Sequence, residues 1–190
     1  TGSDTVNIIT LPKPFPDFYA SDTSGCAPLN IHLTNTTIST DTANISYQWI
    51  CFDEYGNTIF SSDKPSPDFV VESDGVYSIY LHAITDDGCQ DSIIKWNYLT
   101  VNYQPAAEFD ALPEVSLWSE TDGTIMFVVQ GDTTSFGNSL SFNWDFGDGS
   151  TDSSSYAIEH TYSSWGDYDV TLNMFTPEGC NSSITHTVTL

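Results

Sequence analysis

The run Asn143-Trp144-Asp145-Phe146-Gly147-Asp148-Gly149-Ser150 decides the fold. Trp144 and Phe146 alternate with Asn143 and Asp145, so apolar side chains point one way and polar ones the other, as in a half-buried strand. Gly147 and Asp148-Gly149 follow at once, and glycine reaches the positive φ values that a tight turn out of such a strand needs. Outward from this point, Phe142 extends the strand, and Ile125, Phe127 and Val129 alternate in a second one after Asp122-Gly123. Ala107-Glu108-Phe109-Asp110 reads as a first short strand. Downstream come His160-Thr161-Tyr162, then Gly166-Asp167-Tyr168-Asp169-Val170-Thr171-Leu172, a Glu178-Gly179 turn and a last strand over 184–190.

The same order occurs earlier in the chain. Asp17-Phe18-Tyr19-Ala20 opens it, and Leu29, Ile31 and Leu33 alternate with Asn30, His32 and Thr34. Tyr47, Trp49 and Cys51 alternate in turn, Glu54-Tyr55-Gly56-Asn57 turns the chain, and Pro67-Asp68-Phe69-Val70-Val71 is a short strand. A long strand starts at Gly75-Val76-Tyr77-Ser78-Ile79, Asp86-Asp87-Gly88 makes a hairpin, and 93–101 closes the set. Tyr47-Gln48-Trp49 pairs with Phe142-Asn143-Trp144, and Asp87-Gly88-Cys89 with Glu178-Gly179-Cys180. Such recurrence predicts an array of like modules.

The strand-turn block, the His-Thr-Tyr block and the Gly-x-Tyr-x-Val block, in that order and spacing, resemble a PKD domain. The resemblance covers most of 13–190 and is strongest in 104–190. In the first copy Trp49-Ile50-Cys51-Phe52-Asp53 stands where the family carries its Trp-Asp-Phe-Gly-Asp-Gly run, and no His-Thr-Tyr block follows; that copy resembles a divergent PKD-like module. The implied fold is all-β: two tandem immunoglobulin-like β-sandwiches over 13–103 and 104–190, with 1–12 a linker or the last strand of a preceding domain. Trp49 and Trp144 are expected to fill the gap between sheets, and Tyr77 and Tyr168 to take the place of the tyrosine corner. The resemblance also implies tandem modules of Bacteroidetes-type surface or secreted proteins, with export and adhesion as the setting.

Composition narrows the function classes. Hydrophobic residues make up 39% and aromatics 14%, ample for packed cores. Lysine and arginine number 3 against 26 acidic residues, and the formal charge is -23. No cationic surface exists to displace counterions from nucleic acid, and anionic membrane surfaces are disfavoured for the same reason. No apolar run is long enough to span a bilayer, so membrane insertion is not expected. The start at Thr1-Gly2-Ser3, without methionine, points to a piece of a longer precursor. The expected partners are neighbouring domains of the same polypeptide, with surface glycans or proteins as further candidates.

The 4 cysteines, Cys26, Cys51, Cys89 and Cys180, fit no zinc spacing, and an extracellular setting favours disulfides. Gly25-Cys26-Ala27-Pro28 and Gly88-Cys89-Gln90-Asp91 resemble paired elements of PKD-like surface modules, which implies a Cys26–Cys89 bridge. An alternating sandwich puts those two turns at opposite ends, roughly 20 Å apart and beyond disulfide reach. Two alternatives stand: Cys26–Cys180, between modules, or Cys26–Cys51, inside the first.

A search for catalytic groups finds no Gly-x-Ser-x-Gly elbow, no His-Glu-x-x-His pair and no phosphate-cradling loop, so no enzyme is expected. Asp145, Asp148 and Asp152 cluster around a turn as candidate structural calcium ligands, against the commoner use of such side chains in closing their own turn. Otherwise no cofactor is expected. Trp165, Trp118 and Trp96 are candidate glycan or partner contacts, against partial packing under loops. The expected function is therefore a non-catalytic extracellular spacer or adhesion segment of a larger secreted or surface-displayed protein. The alternative is a carbohydrate-binding accessory module of a secreted hydrolase.

Overall fold

The computed structural model describes residues 12–39, 44–112, 123–131, 140–153 and 155–190. The chain divides into two compact units, Thr1–Asn102 and Tyr103–Leu190.

In the first unit the strands are β1 (Phe18–Ala20), β2 (Ser24–Cys26), β3 (Leu29–Asn35), β4 (Ile45–Asp53), β5 (Thr58–Ser62), β6 (Asp68–Val71), β7 (Gly75–Thr85) and β8 (Gln90–Asn102). They form a three-stranded sheet, β1-β3-β6, and a five-stranded sheet, β2-β8-β7-β4-β5. Period-two alternation decides which side chains meet between them. Ile31 and Leu33 of β3, Trp49 and Cys51 of β4, and Ile79 and Leu81 of β7 are buried, while Asn30, His32 and Gln48 are exposed. One buried cluster results, including Phe18, Trp49, Val71, Tyr77 and Leu99.

The segment around Cys26 is a strand rather than a loop. β2 runs parallel to the end of β8, with Gly25 opposite Val101 and Cys26 opposite Asn102. Three residues with a central glycine carry no alternation, so only their pairing partner defines the strand. β5 pairs with β4 across the Glu54–Asn57 turn, where Asp53 Oδ1 accepts the Tyr55 and Asn57 N–H groups.

The second unit holds β9 (Phe109–Leu112), β10 (Thr124–Val129), β11 (Ser141–Asp145), β12 (Thr151–Asp152), β13 (Ala157–Thr161), β14 (Asp167–Phe175) and β15 (Asn181–Thr189). Its sheets are β13-β10-β9 and β12-β11-β14-β15, antiparallel throughout. Phe109, Phe127, Trp144, Phe146, Tyr162, Val170 and Leu172 fill the space between them.

The two units close in the same way. Trp49 and Trp144 are both 0% exposed. Each meets a phenylalanine of its unit's first strand edge-on at 5.1 Å, Phe18 at 77° and Phe109 at 76°. Each indole N–H reaches a carbonyl just past the strand next in the chain, Lys64 O after β5 at 2.9 Å and Ser155 O after β12 at 3.1 Å. Large aromatics contribute the greatest apolar burial, and a buried indole needs a partner for its N–H; both needs are met twice. The tyrosines repeat as well: Tyr77 donates its hydroxyl to Ser73 O at 2.8 Å, and Tyr168 to Ser164 O at 2.9 Å.

Candidate functional site

The turn leaving β11 gathers an acid, a hydroxyl and an imidazole. Asp145 Oδ1 accepts the Gly147 N–H at 3.0 Å, the Phe146 N–H donates to Ser150 O at 3.1 Å, and the Ser150 N–H donates to Asp148 Oδ1 at 2.9 Å. Gly147 has a φ of +77°, and a Cβ there would stand 2.8 Å from Asp169 O and 2.9 Å from Asp169 N. Both the conformation and the approach to the β14 backbone require glycine.

From this turn Asp148 Oδ2 reaches His160 Nε2 of β13 at 2.8 Å. The Ser150 hydroxyl bonds Asp148 and lies 3.3 Å from the same Nε2. His160 stacks on Phe146 at 4.1 Å and meets Tyr162 edge-on at 4.5 Å. Tyr162, nearly fully buried, donates its hydroxyl to Phe146 O at 3.1 Å. Burial pushes the Asp148 carboxyl up, but hydrogen bonds from the Ser150 hydroxyl, the Ser150 N–H and His160 outweigh it and hold the group at about 2. Burial also raises the Tyr162 phenol.

A serine–histidine–aspartate relay needs hydroxyl and carboxylate on opposite ring nitrogens. Here both address Nε2, so the carboxylate occupies the nitrogen that would have to take the serine proton. The arrangement is a clasp that ties the β11–β12 turn of one sheet to β13 of the other.

The candidate calcium ligands do not converge. Asp152 sits opposite Trp144 and Asp145 opposite Thr151, so the side chains of Asp145 and Asp152 leave opposite faces of the hairpin. Asp148 turns toward His160, and among the described residues no three such groups come together as metal ligands. The three carboxylates do not fit a calcium site: adjacent strand positions diverge even where the sequence puts acids close together.

The tryptophan candidates separate. Trp96 of β8 is 68% exposed and meets Phe52 of β4 edge-on at 5.6 Å. Trp165, in the turn before β14, is 59% exposed. Trp118 lies outside the described residues.

Cys26 and Cys180 are each disulfide-bonded. Cys51 is a buried free thiol, so the Cys26–Cys51 alternative is not formed. Cys51 alternates with exposed and half-buried neighbours and points into the core beside Trp49, where burial pushes its thiol up to about 12.

Sequence reasoning missed Lys95. Its ammonium bonds Phe18 O, pairs with Asp17 at 2.9 Å and lies 4.5 Å from the Phe18 ring centre, locking β8 to β1. A lone lysine two positions after the Ile93 of an apolar run, in a chain with 3 basic residues, was the available signal.

Two sheets face to face, antiparallel apart from the β2–β8 pair, with a buried tryptophan on an inner strand and a tyrosine corner, define an immunoglobulin-like β-sandwich, present here twice. Residues 103–190 match the family model of the PKD domain. A microbial collagenase of Vibrio alginolyticus is 40% identical over 67 residues, which are 35% of this chain and 8% of the collagenase. Among solved structures, a two-domain fibronectin type III segment from chicken tenascin aligns with a TM-score of 0.45 and 12% identity, over 94% of this chain and 99% of that one. A structure reported for carbohydrate-binding modules of the β-sandwich superfamily aligns with a TM-score of 0.40 and 12% identity, over 93% and 91%. The chain spans less than a tenth of the collagenase it matches.

Proposed function

We propose that this segment is a non-catalytic pair of modules in a larger extracellular protein, acting as a spacer that holds a distal adhesive or catalytic part away from the cell. The observation that carries the reading is the repeated closure. Each unit wraps its own indole, backed by the same phenylalanine contact and the same tyrosine corner. A part built to be strung in series needs each bead to be stable on its own core.

Three further features support it. The PKD match over residues 103–190, and a collagenase relative of which the matched stretch is 8%, support a module within a longer chain. Disulfide-bonded Cys26 and Cys180 fit an oxidising compartment. The charge of -23 keeps such segments soluble and mutually repelling. No helix among the described residues is long and apolar enough to cross a membrane.

The test is single-molecule extension of the segment with its cysteines reduced. The expected record shows two separate unfolding events, each releasing about 300 Å of chain. Featureless extension, or substrate turnover by the purified segment, overturns the proposal.

A further inference from the structure

The outward face of the five-stranded sheet in the first unit is unlike the rest of this chain. Cross-strand register places four rows on it: Phe52 and Ser78; Ile50, Tyr80 and Ile94; Gln48, His82 and Ser92; Ser46, Ile84 and Gln90. Trp96, two positions beyond Ile94, adds its ring to the first row through its edge contact with Phe52. Ser61 of β5 extends the second row beyond Ile50. None of these positions is Asp, Glu, Lys or Arg, in a chain with 26 acidic residues and a net charge of -23.

The chemistry of the face is specific. Trp96 is 68% exposed, Ile94 is exposed, and Tyr80 stacks parallel to His82 with ring planes 10° apart. Exposed amides and hydroxyls from Gln48, Gln90, Ser46 and Ser92 stand among these rings. His82 Nδ1 is the one buried side-chain nitrogen or oxygen among the described residues without a hydrogen-bond partner. The four rows extend roughly 20 Å along the strands, room for several sugar rings in line.

We infer that this face binds an uncharged polysaccharide chain, its sugar rings stacking on Trp96 and Tyr80 and its hydroxyls bonding Gln48, Ser92 and Gln90. Charge selects this occupant over the others. A polyanion is repelled by the chain's own field, and a cationic partner finds no carboxylate on the face to pair with. A second copy brings another charge of -23 toward it. An uncharged glycan meets neither obstacle. This inference does not depend on the spacer proposal: a spacer can carry the site, and the site can exist in a segment that is not a spacer.

The experiment uses the whole 190-residue chain in affinity electrophoresis and titration calorimetry. The probes are a soluble uncharged β-glucan, an uncharged xylan and an uncharged mannan, with polygalacturonate and chitosan as charged controls. Binding to at least one uncharged polymer is expected, little changed between low and high salt. Trp96→Ala, at an exposed position, should leave the circular dichroism and melting temperature unchanged and weaken binding about tenfold or more. Tyr80→Ala should weaken it too, while Trp165→Ala in the second unit should not. The inference is overturned if no uncharged polymer binds, if Trp96→Ala binds as well as the parent, or if only a charged control binds. Concentration-dependent dimerisation abolished by Trp96→Ala would assign the face to a second copy instead.

Discussion

Replacing Trp144 by alanine removes the residue around which the second unit closes. The indole is 0% exposed and touches Phe109, Phe127 and Phe146, with ring centres 5.1, 5.8 and 6.4 Å away. Truncating a fully buried aromatic to alanine costs about 3–5 kcal/mol, the lost transfer energy plus the cavity left behind. The lost N–H donor to Ser155 O adds about 1 kcal/mol, because that carbonyl must then find water. A unit of this size is stable by about 4–13 kcal/mol, so the substitution brings it near its threshold. Trp144→Phe keeps most of the apolar contact and should cost about 2–3 kcal/mol, part of it the hydrogen bond. Differential scanning calorimetry reads the result. Trp144→Ala should lower one transition by more than about 10 °C and leave the transition of the first unit in place. Trp49→Ala should do the converse. A fall of under about 4 °C for Trp144→Ala, or an equal fall in both transitions, would refute the reasoning.

Gly147→Ala puts a Cβ against the Asp169 backbone at a φ of +77° and should cost about 2–4 kcal/mol, read as a shift in urea midpoint; Gly149→Ala, with open space at its Cβ, should cost less. The Asp148 carboxyl is held at about 2, below its unfolded value near 4, so its contribution is complete above about pH 4 and fades as pH falls through 2. Asp148→Asn should therefore be less stable than the parent by about 1–2 kcal/mol at pH 7, with the gap closing toward pH 2; a gap constant across that window contradicts the clasp. Native alkylation at pH 8 should leave Cys51 unlabelled until the chain is unfolded, since burial holds its thiol near 12. Non-reducing peptide mapping of the same sample should find Cys26 and Cys180 as half-cystines; a Cys26–Cys51 peptide would contradict the structure.

Much of the fold was legible where one face of a strand is buried. The alternation through Phe142, Trp144 and Phe146 reports a sheet that faces a core, and the glycine after it reports the turn. Tyr77 and Tyr168 were legible because each stands two positions after a glycine where a long strand begins. β2 was not legible, because three residues held by parallel pairing to β8 leave no periodic trace. The Asp145, Asp148 and Asp152 cluster looked like a ligand set because spacing along the chain is blind to which face a side chain takes. His160 was read as part of a block, but its partnership with Asp148 joins two sheets and appears only once they pack. The uncharged outer face was hidden for the same reason. Its residues come from four strands, and each strand alone contributes only a few uncharged positions.

The account's central claim is that each unit closes around one strand-borne indole. Hydrogen exchange at the indole N–H groups of the 5 tryptophans, followed by NMR, tests it most directly. The account predicts that the N–H groups of Trp49 and Trp144, bonded to Lys64 O and Ser155 O, exchange about a hundredfold or more slower than that of exposed Trp96. Exchange of Trp49 and Trp144 as fast as Trp96 would contradict it.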